Sequence, residues 1–486
     1  MSRKRFINIK VVTNIVGSLI IISGALMLLS IPVSIYYKSN DLTAIILSSS
    51  ITLIAGLGLK FATRKNKNDE VKKREGYLIV ALGWISMTLF GTLPYVISGA
   101  IPDYTNAYFE TISGLTTTGA SILNDIESLP KGILFWRSMT QWIGGMGIIV
   151  LTIAILPLLG VGGMELFASE SPGPTKNKIH PRIKETAKRL WFIYFSLTVL
   201  QCILLMFAGM DFYDAINHSL TTMSTGGFST KQASIAAFNS PIIEYIIIVF
   251  MFIAGTNFTL LYFGFKLKLK KFWENDEFKW YAAAVIILCL IITPVIYNNN
   301  FEESFRGVLF QVISILTTTG YATTDFTTWG SFITFIFFLL LFTGASAGST
   351  SGGMKIVRIV LLMKNGFLEF KRRLHPNAIV PVNLNRQVVS SKIIYNLLAF
   401  VFFYLFLFVV GSIALTFFGL EFKEALSAAA TSIGNVGPGI GELGPAGNFY
   451  NLPNPAKWIL AILMLMGRLE LFTIAILFTP YFWRRN

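Results

Sequence analysis

Apolar residues occur along this chain in long runs instead of the short alternating patterns of soluble domains. Ten runs are long enough to cross a bilayer, because a spanning helix needs about 20 mainly apolar residues. The predicted spans are 12–37, 41–63, 76–98, 132–160, 189–209, 241–265, 279–297, 331–362, 393–419 and 456–482. This pattern predicts an all-α integral membrane protein.

The polar segments between the runs alternate in charge. Basic residues are concentrated in 64–75, 176–189, 266–271 and 355–392, whereas the intervening loops carry mostly acidic residues. Basic loops stay on the cytoplasmic side of the membrane, so the alternation predicts that both termini are cytoplasmic. The first run continues to about Tyr37, which is too long for the apolar part of a signal peptide, and we interpret it as a spanning helix.

Four external loops contain a segment that is too short to cross the membrane and that ends in a Gly-Thr-rich sequence. The segments are Thr116-Thr117-Thr118-Gly119, Ser224-Thr225-Gly226-Gly227, Thr317-Thr318-Thr319-Gly320 and Gly434-Asn435-Val436-Gly437, whose final glycines are 108, 93 and 117 residues apart. A loose period of this kind indicates an internal repeat. All four copies have the same orientation in the membrane, so they can surround one axis along the membrane normal.

The composition of these segments suits a dehydrated cation. Backbone carbonyls can replace an ion's hydration shell, glycine accepts the backbone angles that aim successive carbonyls at one axis, and threonine adds hydroxyl ligands. A short helix ahead of each glycine would point its C-terminal carbonyls at the axis. We predict a cation filter formed by Thr117, Thr118, Gly119, Thr225, Gly226, Gly227, Thr318, Thr319, Gly320, Asn435, Val436 and Gly437.

The alternative is that these small residues only pack helices together. One copy would favour that alternative, but four copies at corresponding positions favour the filter. The third copy is similar to the Thr-Val-Gly-Tyr-Gly filter of potassium channels. The fourth copy lacks hydroxyl groups, so we expect fewer well-formed ion sites than in a four-fold symmetric channel.

A second unusual segment lies inside the run 331–362, where eleven residues from Thr343 to Gly353 include no large side chain. Such a composition makes a poor helix interior, and irregular backbone at membrane depth must be buried in protein or line a cavity. We predict a gate loop across the pore, with a closely packed helix face as the alternative. The gate loop consists of Gly344, Ala345, Ser346, Ala347, Gly348, Ser349, Thr350, Ser351, Gly352 and Gly353.

Arg468 lies near the centre of the last predicted span. A charge at that depth is costly unless it faces water or a partner, so its position indicates a function. Glu470, two residues further on, would not face it on a helix. We expect Arg468 to lie in the pore beneath the filter, where it repels ions or binds the gate loop, with buried structural pairing as the alternative.

Composition and charge agree with a membrane protein. Hydrophobic residues make up 53% of the 486 positions and charged residues 13%, which exceeds what a soluble protein can bury. The net charge of +15 lies in the cytoplasmic loops and does not indicate nucleic-acid binding. Cys202 and Cys289 are expected to be packing residues, and His218 to hydrogen-bond within its short helix. No metal-ligand spacing, nucleophile–base pair or nucleotide-binding motif is found, so an enzyme is not expected.

Several motifs resemble the TrkH family of potassium transporters, within the Trk/Ktr/HKT superfamily. They are the residues 114–120, Gln141-Trp142-Ile143-Gly144-Gly145-Met146-Gly147-Ile148, and the residues 348–355, 435–439 and 467–470. Two additional N-terminal helices favour TrkH over the similar KtrB group. The resemblance covers nearly the whole chain. It implies potassium translocation, filter positions at Gly119, Gly227, Gly320 and Gly437, an intramembrane gate loop at 344–353 and Arg468 near it.

The resemblance also implies an architecture and partners. Two N-terminal helices (1–70) precede four helix–re-entrant loop–helix repeats around a central pore, at 71–175, 176–272, 273–375 and 376–486. The gate loop belongs to the third repeat. A homodimer in the bacterial inner membrane, in contact with lipid, would bind a cytoplasmic ring of TrkA-type subunits. No cofactor is expected on this chain, and a nucleotide such as ATP or NADH is expected only on that partner.

Three functions remain open from the residues alone. The first is gated movement of potassium down its electrochemical gradient. The second is symport of potassium with sodium or protons, which is weakly supported because no acidic residue stands out within the spanning cores apart from Glu470 and the near-interfacial Glu244. The third is a scaffold with a vestigial pore, against which the four filter glycines argue.

Overall fold

The computed structural model describes residues 7–63, 71–150 and 179–484. This part of the chain is predominantly helical and contains two small two-stranded sheets. The predicted repeat boundary at residue 175 lies outside the described residues. Residues 64–70, beside the predicted boundary at residue 70, the segment 176–178 and the two chain ends also lie outside them. Both cysteines are buried as free thiols, in agreement with the expected packing role.

The N-terminal pair consists of α1 (Ile9–Met27), continued by α2 (Ser30–Tyr36), and α3 (Leu42–Ala62). Helices α1 and α3 approach closely because Gly17 and Gly56 face each other, and a Cβ on Gly17 would lie 3.0 Å from the Gly56 carbonyl oxygen. Asp41 links the pair to the rest of the protein. Its carboxylate accepts hydrogen bonds from the Ser34 hydroxyl at 2.5 Å and from the Ile133 N–H at 2.8 Å.

Each of the four regions that follow contains a long helix and then a short helix that ends at a predicted filter segment. The helix that follows this segment is called the inner helix. The first contains α4 (Lys73–Gly91), α5 (Leu93–Ile97), α6 (Tyr104–Leu115) and α7 (Lys131–Val150). The second contains α8 (Ile179–Phe207), α9 (Phe212–Met223), α10 (Pro241–Ala254) and α11 (Phe258–Phe265).

The third region begins with α12 (Lys270–Glu274) and α13 (Asp276–Ile292), followed by α14 (Phe301–Leu316), α15 (Ser331–Leu340), strands β1 (Thr343–Gly344) and β2 (Met354–Lys355), and α16 (Ile356–Leu374). The fourth contains β3 (Val382–Leu384), β4 (Gln387–Val389), α17 (Ser391–Phe417), α18 (Phe422–Gly434), α19 (Asn454–Arg468), α20 (Phe472–Ala475) and α21 (Pro480–Trp483). Strands β1 and β2 pair in parallel, and β3 and β4 form an antiparallel hairpin.

Among the described residues, five helices are long and apolar enough to cross a membrane, and two bent helix pairs would raise that number to seven. Three other predicted spans are represented by shorter or incompletely described helices. Helix α7 runs up to the undescribed segment, α13 has 17 residues and α15 has 10. The structure therefore supports a multi-pass helical protein, whereas the count of ten spans stays a prediction.

Two of the predicted spans, 241–265 and 456–482, are bent in the structure, and the run 331–362 is interrupted where the loop was predicted. Helices α10 and α11 meet at 109°, and α19 is followed by a bend of 108°. Helix α15 ends at Leu340 and α16 begins only at Ile356. Asn257 explains the first break, because its side-chain oxygen accepts hydrogen bonds from the N–H groups of Thr259 and Leu260 and starts a new helix.

Arg468 is consequently not at the centre of a straight span. It is the last residue of α19, and the chain turns directly after it. Glu470 and Leu471 have φ angles of 63° and 44°, a left-handed conformation that ends a right-handed helix. The bend separates Arg468 from Glu470, so that Arg468 binds the Thr350 carbonyl and Glu470 pairs with Arg358.

Candidate functional site

Four short helices end at the predicted filter segments. Three of them begin at a side chain that accepts a hydrogen bond from the first helical turn: Asp103 from the Asn106 N–H, Asp211 from the Tyr213 N–H and Asn300 from the Glu303 N–H. Glu421 precedes the fourth helix without such a bond. The expectation of a helix ahead of each filter glycine is confirmed.

The C-terminal ends of these helices share one backbone geometry. The residue two positions before each final glycine is left-handed, with φ between 53° and 57°. The next residue donates its N–H to the carbonyl five positions earlier, at 2.8 to 3.0 Å, which is the closing bond of a Schellman motif. The left-handed residues are Thr117, Thr225, Thr318 and Asn435. The four final glycines also have positive φ, from 76° to 111°.

The glycines and the carbonyls that precede them meet in a closed cycle. Consider a Cβ placed on the final glycine of one segment. It would lie within 3.0 Å of a carbonyl oxygen of the next segment, and this oxygen belongs to the residue that precedes the final glycine there. The pairs are Gly119 with Gly226, Gly227 with Thr319, Gly320 with Val436, and Gly437 with Thr118. Because the last pair returns to the first segment, the four segments form a ring.

The threonine hydroxyls of the ring are engaged in several hydrogen bonds. Those of Thr118 and Thr319 lie 2.8 Å from the hydroxyls of Thr116 and Thr317, respectively. The Thr225 hydroxyl donates to the Ser224 carbonyl at 2.7 Å. Within the described residues, the Thr117 hydroxyl has no hydrogen-bond partner. The backbone carbonyls are therefore the common feature of the four segments, and the hydroxyls differ from copy to copy.

Two departures from the Thr-Thr-Gly pattern have structural reasons. Gly226 replaces a threonine because the Gln141 side chain occupies the space of its Cβ, with its amide carbon within 3.0 Å of that position. Gln141 donates to the Gly226 carbonyl at 2.6 Å and accepts from the Phe228 N–H at 3.0 Å. Asn435 donates to the Thr118 hydroxyl at 3.0 Å and to the Met464 carbonyl at 2.8 Å, which joins the fourth segment to the first.

An open cavity lies on one side of the ring, and all four final glycines contribute to its lining. A buried ion pair stands beside it, with Arg137 Nε 2.7 Å from Glu110 Oε1. Arg137 also donates to the Ser229 carbonyl at 3.0 Å, and Glu110 accepts from the Ile122 N–H at 2.9 Å. The pair therefore fixes the backbone that follows the first and second segments.

The 344–353 loop lies at the opposite end of the ring. The Gly352 N–H donates to the Thr318 hydroxyl at 2.6 Å. A Cβ on Gly352 would lie within 3.0 Å of the Gly434 carbonyl oxygen and of the Asn435 Cβ. The Thr350 hydroxyl lies 3.1 Å from the carbonyl of Met223, the last residue of α9. The loop thus touches the second, third and fourth short helices or the segments that follow them.

The loop also satisfies the backbone groups that the break between α10 and α11 exposes. Ser346 donates its N–H to the Gly255 carbonyl at 3.0 Å, and Phe258 donates its N–H to the Gly348 carbonyl at 3.1 Å. The Asn257 side chain donates to the Ala347 carbonyl at 2.7 Å. Irregular backbone in a membrane needs such partners, so the broken helix and the loop stabilise each other.

Arg468 binds the loop from the other side. Its guanidinium donates to the Thr350 carbonyl at 2.8 Å and to the Gly144 carbonyl at 3.3 Å, and the residue is buried. The expectation that Glu470 is not its partner is confirmed, because Glu470 forms an ion pair with Arg358. Lys355, also buried, donates to the carbonyl and the hydroxyl of Ser351. Two cationic side chains therefore bind consecutive residues of the loop.

The sequence interpretation missed several residues of this site. Gln141, Asn257 and Lys355 each stand as a polar side chain in or beside an apolar run, which was an available signal. Glu110 and Arg137 are 27 positions apart, and no sequence pattern indicated their pairing. His218 hydrogen-bonds to the Asp214 carbonyl of its own helix, as expected, and also to the Ser229 hydroxyl at 3.0 Å.

Comparisons with known proteins agree with each other over nearly the full length. A family model described as TrkH, cation transport protein, matches residues 42–485. The Trk system potassium uptake protein TrkH of Escherichia coli strain K12 is 43% identical, over 98% of this chain and 99% of that protein. The Trk system potassium uptake protein TrkG of the same strain is 34% identical, over 98% and 99%. The crystal structure of the potassium transporter TrkH from Vibrio parahaemolyticus matches with a TM-score of 0.90 and 38% identity, over 98% and 100%.

Proposed function

Because this chain belongs to the TrkH family of cation transport proteins, we propose that it takes up potassium through a gated pore built by a single chain. It is a transporter and not an enzyme. Its curated relatives are potassium uptake proteins of the Trk system, and they match it from end to end. The observation that carries the proposal is the closed ring of four glycines and four carbonyls.

The ring suits a dehydrated cation for a physical reason. Four backbone carbonyls are brought together without intervening side chains, and carbonyl oxygens are the ligands that replace the hydration shell of potassium. The short helices end at the ring, so their C-terminal partial charges add a negative potential there. The open cavity lined by Gly119, Gly227, Gly320 and Gly437 offers an ion a route to this ring.

In this proposal, four repeats at 71–175, 176–272, 273–375 and 376–486 surround the pore, and the pair at 1–70 lies outside them. The similar C-terminal geometry of α6, α9, α14 and α18 supports the four-fold arrangement. The basic loops place both termini in the cytoplasm of a bacterium. The cavity then faces outward, and the 344–353 loop lies beneath the filter on the cytoplasmic side.

The 344–353 loop acts as the gate in this proposal. It lies against the segments of the ring through Thr350 and Gly352, and Arg468 holds it through the Thr350 carbonyl. Arg468 thus acts by binding the loop, while its positive charge also disfavours a cation at that point. Opening requires the loop to leave these partners.

The partners are inferred from the family. We propose a homodimer in the lipid bilayer and a cytoplasmic ring of TrkA-type subunits that carry the regulatory nucleotide. The transported potassium ion is the substrate of this chain, which needs no cofactor of its own. The exposed basic residues of α16, including Lys371 and Arg373, give such a partner a charged surface to bind.

The test is ion flux through the purified protein in liposomes that contain no other protein. We expect rubidium to enter down its gradient, potassium to compete with it, and sodium to compete poorly. An imposed sodium or proton gradient should leave this flux unchanged if ions move through a channel. Accumulation of rubidium against its gradient, driven by either imposed gradient, would instead establish symport. Liposomes without protein provide the blank.

A further inference from the structure

Glu277 connects the 344–353 loop to a helix outside the ring. It is the second residue of α13, only 1% of its surface is exposed, and its Oε1 accepts the Ala347 N–H at 2.6 Å. The short distance and the burial of the carboxyl group make this contact an attachment point of the loop.

The neighbouring Asp276 binds the hairpin that precedes α17. Asp276 donates its N–H to Asn385 Oδ1 at 2.7 Å, and Asp276 Oδ2 accepts the Asn385 N–H at 3.0 Å. Lys364 of α16 donates to the same carboxylate oxygen at 3.3 Å and to the Asn383 carbonyl at 3.1 Å. Asn385 and Arg386 form the two-residue turn of the hairpin, both with positive φ.

A small apolar core joins the same elements. Val382, Leu384 and Val389 of the hairpin pack with Val357 and Leu361 of α16 and with residues of α17, and Ala347 packs against this cluster. The hairpin and the loop therefore share one apolar cluster and are also linked through the neighbouring residues Asp276 and Glu277. A displacement of the hairpin would move the start of α13 and, with it, the partner of the Ala347 N–H.

We propose that Glu277 is a positioning residue that holds the 344–353 loop in its closed place, and that Asp276 couples this hold to the hairpin 382–389. The inference rests on the proposed function in so far as the loop is the gate. The position of the loop, which Glu277 fixes in this proposal, can be measured separately from ion flux.

The test uses a thiol reporter in the loop. In the full-length protein, Cys202 and Cys289 are replaced by alanine, and Ser346→Cys introduces a buried thiol. The rate of modification by a membrane-impermeant thiol reagent in liposomes then reports exposure of the loop. Glu277→Ala should raise this rate on the order of tenfold, which corresponds to about 1.4 kcal/mol. Glu277→Gln, which keeps a neutral acceptor, should give an intermediate rate.

Glu274→Ala is the matched control. Glu274 ends α12, three residues before Glu277, and is an exposed carboxylate that pairs with Lys271 at 3.2 Å. Its removal should leave the modification rate unchanged. An unchanged rate in Glu277→Ala, in protein that melts as the parent does, overturns the proposal. If Glu277→Ala does not fold, Glu277→Asp, whose shorter side chain withdraws the acceptor from the Ala347 N–H, is compared with the parent, and equal modification rates overturn the proposal.

Coupling to the hairpin is tested by a double-mutant cycle. Asp276→Ala should raise the modification rate in the parent but add little when Glu277 is already alanine. Independent, additive effects would overturn the coupling. Rubidium flux is measured on the same samples. A faster modification without higher flux keeps Glu277 as the hold on the loop and contradicts the loop as gate, so the two proposals fail in distinguishable ways.

Discussion

Among the described residues, the β-branched residues with positive φ all lie in the ring. Thr117, Thr225 and Thr318 are β-branched residues in the left-handed region, where such residues are rarely found. A strained conformation of this kind costs about 1–3 kcal/mol and persists only where its surroundings enforce it. Here the closing bonds of the helix ends and the ring contacts enforce it. The strain positions the carbonyl that follows each threonine.

Gly320→Ser should reduce the discrimination between potassium and sodium. A Cβ at position 320 would lie within 3.0 Å of the Val436 carbonyl oxygen and of the Pro438 ring. The carbonyl must move, so we expect selectivity to fall about tenfold or more, equivalent to about 1.4 kcal/mol. Competition of rubidium uptake by each cation measures it.

Gly307→Ser is the matched control for that substitution. Gly307 lies on the same helix, α14, and a Cβ there would meet no atom within 4 Å. Its selectivity should equal that of the unmodified protein. Equal selectivity of Gly320→Ser and Gly307→Ser, at equal expression, would show that Gly320 is not part of the filter.

At the scale of elements, the inner helices are interrupted beneath the ring. Helix α10 breaks before Asn257, α15 gives way to the 344–353 loop, and α19 ends at Arg468. Each interruption frees backbone groups that a membrane cannot solvate. The loop binds the first interruption through Ser346 and Gly348 and the third through Thr350. These three interruptions therefore form one connected layer on the side of the ring where the 344–353 loop lies.

Arg468→Ala should increase basal flux without changing which ion is preferred. The substitution removes the donor to the Thr350 carbonyl but leaves the ring carbonyls in place. Loss of a charged hydrogen bond is worth about 1.5–3 kcal/mol, so we expect flux to rise by about an order of magnitude. Flux and competition are measured together in liposomes.

Arg468→Lys separates charge from geometry. Lysine keeps the positive charge but lacks the planar guanidinium group that lets arginine donate to two carbonyls at once. The flux through Arg468→Lys should therefore lie between those of the parent and Arg468→Ala. A folded Arg468→Ala protein with unchanged flux would contradict the role in the gate. A protein that fails to fold would favour the alternative of buried structural pairing.

At the scale of the whole molecule, one chain contains the complete ring. The contact between Gly437 and Thr118 joins positions that are more than 300 residues apart in sequence. The first and fourth segments therefore close the ring without a second subunit. In the proposed homodimer, each subunit has its own pore.

Mixed dimers should conduct in proportion to their functional subunits. Gly227→Val places a branched side chain where even a Cβ would lie within 3.0 Å of the Thr319 carbonyl oxygen, so it should not conduct. A covalently linked dimer of one parent and one Gly227→Val subunit should show about half the flux of the parent dimer. Linked parent–parent and variant–variant dimers are the references. Flux close to zero in the mixed dimer would indicate a pore shared between subunits.

The features that depend on local composition could be predicted from the amino-acid sequence. Bilayer thickness sets the length of apolar runs, so the multi-pass helical class was evident before any contact was known. The repeated glycines indicated positions that need unusual backbone angles, and the four final glycines do have positive φ. The resemblance to the TrkH family came from short motifs that are local as well.

The contacts of the fold set the bends in two apolar runs and bring distant polar groups together. The run 241–265 is apolar enough for one straight helix, yet it bends by 109° because the loop, about ninety residues later, satisfies its freed backbone groups. The partners of Arg468 at Thr350 and Gly144 are more than one hundred residues away in sequence. Buried polar groups form hydrogen bonds with the partners that the fold brings within reach. The identity of such a distant partner cannot be predicted from the neighbouring residues in the sequence.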